Sequence, residues 1–221
     1  MKKLFFTNLV FLFIVTHLLA QNKSNSRSYI GVYTGINLSG FSGNYQSNIP
    51  GESGKVRLRT QFGLYGNIFI QTEFSIYTAL ELVLKGAKTK GEENTAGVDV
   101  SYVAKTNLTT FSMPVLFNYT PRKDWGLMIG PQFTYLSSAK EPWYASDFYK
   151  PDGYQENVLF KFNQYTVEGV IAFNYLMISG VTFQLRYTYG VMPIVKDEYG
   201  GSHSSSIMLF VGINFPKGAS H

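Results

Sequence analysis

Bulky apolar side chains alternate with small or polar ones along nearly the whole chain after residue 20, and no stretch there is apolar for long enough to span a bilayer as a helix. A period of two belongs to strands, whose successive side chains point to opposite faces. About eight strands are expected, near 28–38, 60–70, 74–88, 105–119, 125–137, 161–175, 179–191 and 205–215. Each is long enough to cross a bilayer when tilted, which takes roughly 9–11 residues.

The two faces differ in kind. Ile30, Val32, Ile36 and Leu38 oppose Gly31, Tyr33, Gly35 and Asn37 on the first strand, and Leu80, Leu82 and Leu84 oppose Glu81 and Lys85 on the third. On the sixth, Tyr165, Val167, Ile171 and Phe173 oppose Thr166, Glu168 and Asn174. On the seventh, Phe183, Leu185 and Tyr187 oppose Gln184, Arg186 and Thr188. A soluble barrel or sandwich has the same period, but it must turn its polar face to water and its bulky one inward. Here the polar face is rich in Gly, Ser, Thr and Asn, which suit a crowded narrow lumen, whereas Leu, Ile and Phe suit hydrocarbon. Trp125, Tyr135, Tyr165, Tyr175, Tyr187 and Tyr189 lie near strand ends, where aromatic girdles sit at the two membrane surfaces.

Composition agrees with this arrangement: Tyr 16, Phe 18 and Gly 21, with only 15% charged residues, against roughly 25% in soluble domains. The connections alternate as well. Long ones fall near 39–59, 89–104, 138–160 and 192–204, and short ones at 71–73, 120–124 and 176–178. Outer-membrane barrels have short periplasmic turns and long extracellular loops in this order. The expected fold is therefore all-β, an eight-stranded antiparallel up-and-down transmembrane barrel with both termini on the periplasmic side.

Residues 1–20 have a basic start (Lys2, Lys3), an apolar run and Leu18-Leu19-Ala20 before Gln21, the layout of a cleaved secretory signal peptide. Thr7, Asn8, Thr16 and His17 interrupt the run, which argues against a helical anchor. Residues 21–221 are then one barrel domain exported to the outer membrane. With Cys 0 there is no thiol for lipid attachment, for disulfides or for a thiolate metal site. The net charge of +5 includes the two leader lysines and is scattered, so nucleic acid is not an expected partner.

Four segments carry a family resemblance: Gly31 to Ser39, Leu80-Glu81-Leu82-Val83-Leu84-Lys85-Gly86, Met113-Pro114-Val115-Leu116-Phe117-Asn118-Tyr119 and Leu185-Arg186-Tyr187-Thr188-Tyr189-Gly190. In these the chain resembles the PorT-like outer-membrane β-barrel, or porin-family, proteins, over nearly its whole mature length. The resemblance implies insertion in the outer membrane, and a few members resemble components of secretion systems. The tail departs from the pattern, because Phe215 is followed by Pro216-Lys217-Gly218-Ala219-Ser220-His221 instead of ending the chain.

Glu81, Lys85, Glu168 and Arg186 are the charges expected in the lumen, where each needs a partner. Glu168 and Arg186 lie on neighbouring strands, and Glu81 is placed to reach Arg186 across the lumen; the set reads either as a gate or as a static polar core. A lipid-modifying enzyme is the rival class, with His203 between Ser202 and Ser204 on an expected outer loop near Asp197 and Glu198, but the spacing is not diagnostic. No paired histidine motif or phosphate loop is present, so neither metal nor cofactor is expected. Trp143, Tyr144, Phe148, Tyr149 and Tyr154 form a loop aromatic cluster that either docks a partner or packs over the barrel mouth. Eight strands leave an interior filled by side chains. The expectation is a monomeric, non-enzymatic, structural, adhesive or narrow-pore barrel, with outer-membrane lipid and lipopolysaccharide around it and a secretion or surface-protein partner as the alternative.

Overall fold

The computed structural model describes residues 28–42, 52–95, 98–122, 124–145, 155–177 and 180–216. In chain order the strands are β1 (Tyr29–Ser42), β2 (Glu52–Phe69), β3 (Phe74–Thr95), β4 (Val98–Tyr119), β5 (Trp125–Ala145), a short β6 (Gln155–Asn157), β7 (Tyr165–Leu176), β8 (Val181–Gly190) and β9 (His203–Pro216). Every ladder is antiparallel. The sheet runs β4-β3-β2-β1-β9-β8-β7-β5, and a β4–β5 ladder closes it on itself. Short β6 adds only to the far end of β5, opposite residues 140–142. The result is the closed eight-stranded antiparallel barrel that the alternation predicts.

The faces fall as the side chains dictate. Outward residues are mainly apolar over 30–38 on β1, 74–84 on β3, 111–119 on β4, 125–135 on β5, 165–175 on β7, 181–189 on β8 and 207–215 on β9, with Thr34 and Thr78 the hydroxyl-bearing exceptions. These spans match the roughly 9–11 residues that a tilted strand needs to cross hydrocarbon. Inward positions are buried, and many are Asn, Gln, Ser and Thr. Among the described residues no helix is long and apolar enough to cross a membrane, and the strands make the crossing.

Inside, large rings are set against missing side chains. A Cβ on Gly31 would lie 2.6 Å from Tyr65 Cζ, and one on Gly63 would lie 2.6 Å from Tyr33 Cζ. Tyr33 in turn stacks on Phe210 at 4.4 Å and Tyr65 on Tyr77 at 5.7 Å between centroids. Strand glycine here marks a place another group approaches closely.

The short connections are tight turns, as expected. Ile70 N donates to Phe74 O at 2.9 Å, Met177 N to Val181 O at 2.8 Å and Gly180 N to Met177 O at 3.0 Å. Gly180 takes φ 81°, a conformation that favours glycine, to close the last of these turns. The long connections are shorter than the sequence suggests, because strands run far into them. The β3–β4 ladder continues unbroken from Ala87↔Thr106 to Thr95↔Val98, β2 starts at Glu52 and β5 reaches Ala145. At about 3.4 Å per residue, 22-residue strands are about three times as long as the band of about 25 Å is tall. Even with tilt, the outer parts of these strands stand clear of the membrane. The expected signal peptide, residues 1–20, lies outside the described residues.

Ile171, 59% exposed, sits near the middle of the outward run of β7. Ile171→Lys is expected to lower the stability of the barrel in lipid vesicles by about 2–4 kcal/mol, read from the urea midpoint; an unchanged midpoint would place this face outside hydrocarbon.

Candidate functional site

Among the described residues the lumen holds two stacked layers of buried side chains. In the lower one lie all four charges singled out by sequence, with Glu81 3%, Lys85 1%, Glu168 0% and Arg186 1% exposed. They form two ion pairs. Arg186 Nη1 donates to Glu81 Oε1 at 2.6 Å, and Lys85 Nζ pairs with Glu168 Oε1. The sequence places Glu168 beside Arg186 on the neighbouring strand, but the β7–β8 register sets Arg186 opposite Ala172 and Glu168 opposite Gly190. That offset leaves Glu168 to a cation from across the lumen.

Neutral side chains knit the pairs together. Gln132, opposite Glu168 in the β5–β7 ladder, donates through Nε2 to Glu168 Oε2 at 2.6 Å and accepts from Arg186 Nη1 at 3.5 Å. Ser204 Oγ donates to Glu168 Oε1 at 2.6 Å, and Arg186 Nη2 donates to Gln184 Oε1 at 2.9 Å and to Tyr77 OH at 3.3 Å. The Arg186 guanidinium also lies 4.9 Å from the Phe210 ring centroid, within cation–π range. Gln132, Gln184, Ser204 and Tyr77 complete the network, and sequence reasoning did not join them to the four charges because only the ladder register brings them together. Removing charges from water is tolerated best when hydrogen bonds satisfy the partners; Glu168 is satisfied at both oxygens, while Glu81 Oε2 and Arg186 Nε are buried without a hydrogen bond among the described residues.

The upper layer is apolar and comes partly from connections. Phe41, Leu108, Leu136, Val158, Phe162, Ile194 and Val195 pack together, all buried. Single helical turns at Leu159–Lys161 and Asp197–Tyr199 flank the two segments that enter the mouth. Backbone bonds hold those segments: Val158 N to Ala139 O at 3.1 Å, Asn163 N to Ile194 O at 2.8 Å and Lys196 N to Lys161 O at 3.0 Å. Phe162 and Val195 also form a bridge. At the other, turn-bearing end the lumen opens into a hollow of about 410 Å³ lined by Tyr29, Phe69, Thr120 and Leu176 among others.

The remaining candidates lie on the wall and rim. Trp125 stands opposite Tyr175 at the inner end, and Tyr135 opposite Tyr165 at the outer end, with centroids 5.1 Å apart. Tyr187 and Tyr189 face outward near the outer end of β8. His203 is the first residue of β9, a correction to its expected place in a loop: its Nδ1 is 2.8 Å from Gly190 O and its ring stacks on Tyr189. The neighbouring Ser204 gives its hydroxyl to Glu168, and Ser202 Oγ donates to Gly200 O at 3.5 Å. Trp143 and Tyr144 belong to β5, opposite Ala104 and Val103, so they are strand residues; Phe148, Tyr149 and Tyr154 lie outside the described residues. Among the described residues no group of three or more His, Cys, Asp and Glu is placed to hold a metal.

A family model described as an outer membrane protein beta-barrel domain matches residues 19–196. No curated protein matches the sequence. Among solved structures, Ail, the attachment invasion locus protein of Yersinia pestis, aligns with TM-score 0.46 and 11% identity over 85% of this chain and 99% of its own. Neisserial surface protein A aligns with TM-score 0.44 and 10% identity over 86% of this chain and 97% of its own. Likenesses at such TM-scores say nothing of what the chain does.

Arg186→Met strands a buried Glu81 carboxylate and is expected to destabilise the barrel by about 3–5 kcal/mol. The double variant Arg186→Met/Glu81→Gln should recover much of that loss. A double-mutant cycle on urea unfolding in vesicles measures it, and additive losses would show the two residues to be uncoupled.

Proposed function

The chain belongs to the outer membrane protein beta-barrel domain family, and on that premise we propose that it is a non-conducting anchor of the bacterial outer membrane, structural or adhesive in role, which works through the strand extensions it carries above the lipid. The observation that carries this reading is the doubly closed lumen. An ion-paired layer around Arg186 and Lys85 lies beneath an apolar plug of Phe162, Ile194 and Val195, all within 1% of complete burial. A passage for solutes needs a continuous wetted path, and neither layer leaves one. The same network favours the static polar core over the gate, since Glu81 and Glu168 are each held by a cation from another strand.

The extensions are suited to contact. The β3–β4 hairpin stays paired as far as Thr95↔Val98, and β6 adds a short ladder on the other side of the β5 extension. The reading includes export by cleavage after Ala20, the PorT-like assignment and the absence of catalysis. His203 is engaged by the Gly190 carbonyl and the Tyr189 ring, and Ser204 by Glu168, partners other than the serine–histidine contact that the enzymatic alternative calls for.

Planar bilayer recording on protein whose folding is confirmed by its shifted gel migration tests the reading. Folded, inserted protein is expected to show no discrete conductance steps at any applied voltage. Reproducible single-channel steps from the parent chain would overturn it in favour of a narrow pore.

A further inference from the structure

Immediately above the apolar band the outward face of the barrel becomes basic on one side. Past Leu84 on β3, Phe111 on β4 and Tyr135 on β5 come Lys88, Lys105 and Lys140. The ladder sets Lys88 opposite Lys105 and sets Asn107, the next outward residue of β4, opposite Lys140.

Two arginines converge on the same place, through a break in the β2–β3 ladder. Val56 pairs with Ala87 and Gln61 with Val83, one residue more on β2 than on β3. Such a bulge re-aims the side chains of the strand that carries it. Arg57 and Arg59 reach over β3 to β4, where both donate to Asn107 Oδ1 and Arg57 Nη1 also donates to Thr106 O at 3.3 Å. Gly86 makes the crossing feasible, for a Cβ there would lie 2.5 Å from Thr106 O and 3.5 Å from Arg57 Cδ and Nη1. Behind the bulge, β1 takes up the bonds of β3 that β2 has left: Asn37 Nδ2 donates to Leu84 O at 2.9 Å, and Ser39 Oγ accepts from Gly86 N at 2.9 Å. Glu141, next along β5 from Lys140, faces the other way, buried and accepting from Thr106 Oγ1 at 2.9 Å. On the far wall the residues at this height, Gln164, Val191 and Ser205, are uncharged.

We propose that Arg57, Arg59, Lys88, Lys105 and Lys140 form a binding site for the phosphate groups of a phosphorylated glycolipid of the outer leaflet, whose acyl chains lie along the apolar wall of β2–β5 directly beneath. A ligand with phosphates seated on top of its hydrocarbon matches both halves of this surface, and free phosphate matches only one. Guanidinium forks suit phosphate oxygens, with lysines as added point charges. The site rests on the outward band meeting lipid and is independent of whether the lumen conducts.

Native mass spectrometry of the detergent-solubilised full chain, titrated with diphosphoryl lipid A or with its phosphate-free form, tests it. The parent is expected to retain the diphosphoryl lipid far more tightly than the phosphate-free one. Lys88→Gln/Lys105→Gln/Lys140→Gln should weaken diphosphoryl retention about a hundredfold and leave the phosphate-free lipid unaffected, while Lys196→Gln changes neither. Folding of each variant is checked by gel migration. Equal retention of both lipids by the parent would overturn the site even if the triple variant failed to fold. So would undiminished retention by a folded triple variant, or displacement of the lipid by millimolar inorganic phosphate.

Discussion

Hydrocarbon offers no partner to a peptide N–H or C=O, and a strand that enters it must find all its backbone bonds on neighbouring strands. A sheet can meet that demand only by having no edge. Here the β4–β5 ladder supplies the closure, joining strands adjacent in sequence through the short turn after Tyr119. The constraint then sorts the side chains. Lipid takes Leu, Ile, Phe and Val on the outside, and what remains must fill a narrow cylinder from within.

Filling that cylinder explains much of the interior. Small residues alone would leave voids, so tyrosines enter where facing positions are glycine, as Tyr33 does over Gly63 and Tyr65 over Gly31. Their hydroxyls and the many buried amides bring polarity inside, and the two ion pairs belong to that polar setting more naturally than to an oily core.

Which face meets lipid, how many strands there are and which turns are short were all legible, because a period of two repeats across each membrane crossing. Three things were not. Strand ends above the bilayer escaped notice because the outward positions turn polar there, as at Lys88 and Asn107, while backbone pairing continues without any apolar pattern to mark it. The partner of Glu168 was misread because adjacency in the sheet suggests Arg186, whereas the tilt and register of the strands bring Lys85 across the lumen instead. His203 looked like a loop residue beside Gly200 and Gly201, yet it opens β9 opposite Ser42. The bulge that redirects Arg57 and Arg59 has no signature at all in a single strand, since it is defined only against the register of β3.

The β3–β4 hairpin, paired rung by rung to Thr95↔Val98, behaves differently from a floppy surface loop. The backbone freedom of these rungs is surrendered during folding, so a molecule meeting them would not have to freeze them a second time, and association avoids that entropic penalty. Recognition by such a rigid finger is governed by shape and chemistry already in place, which favours quick, selective encounters over slow mutual adjustment.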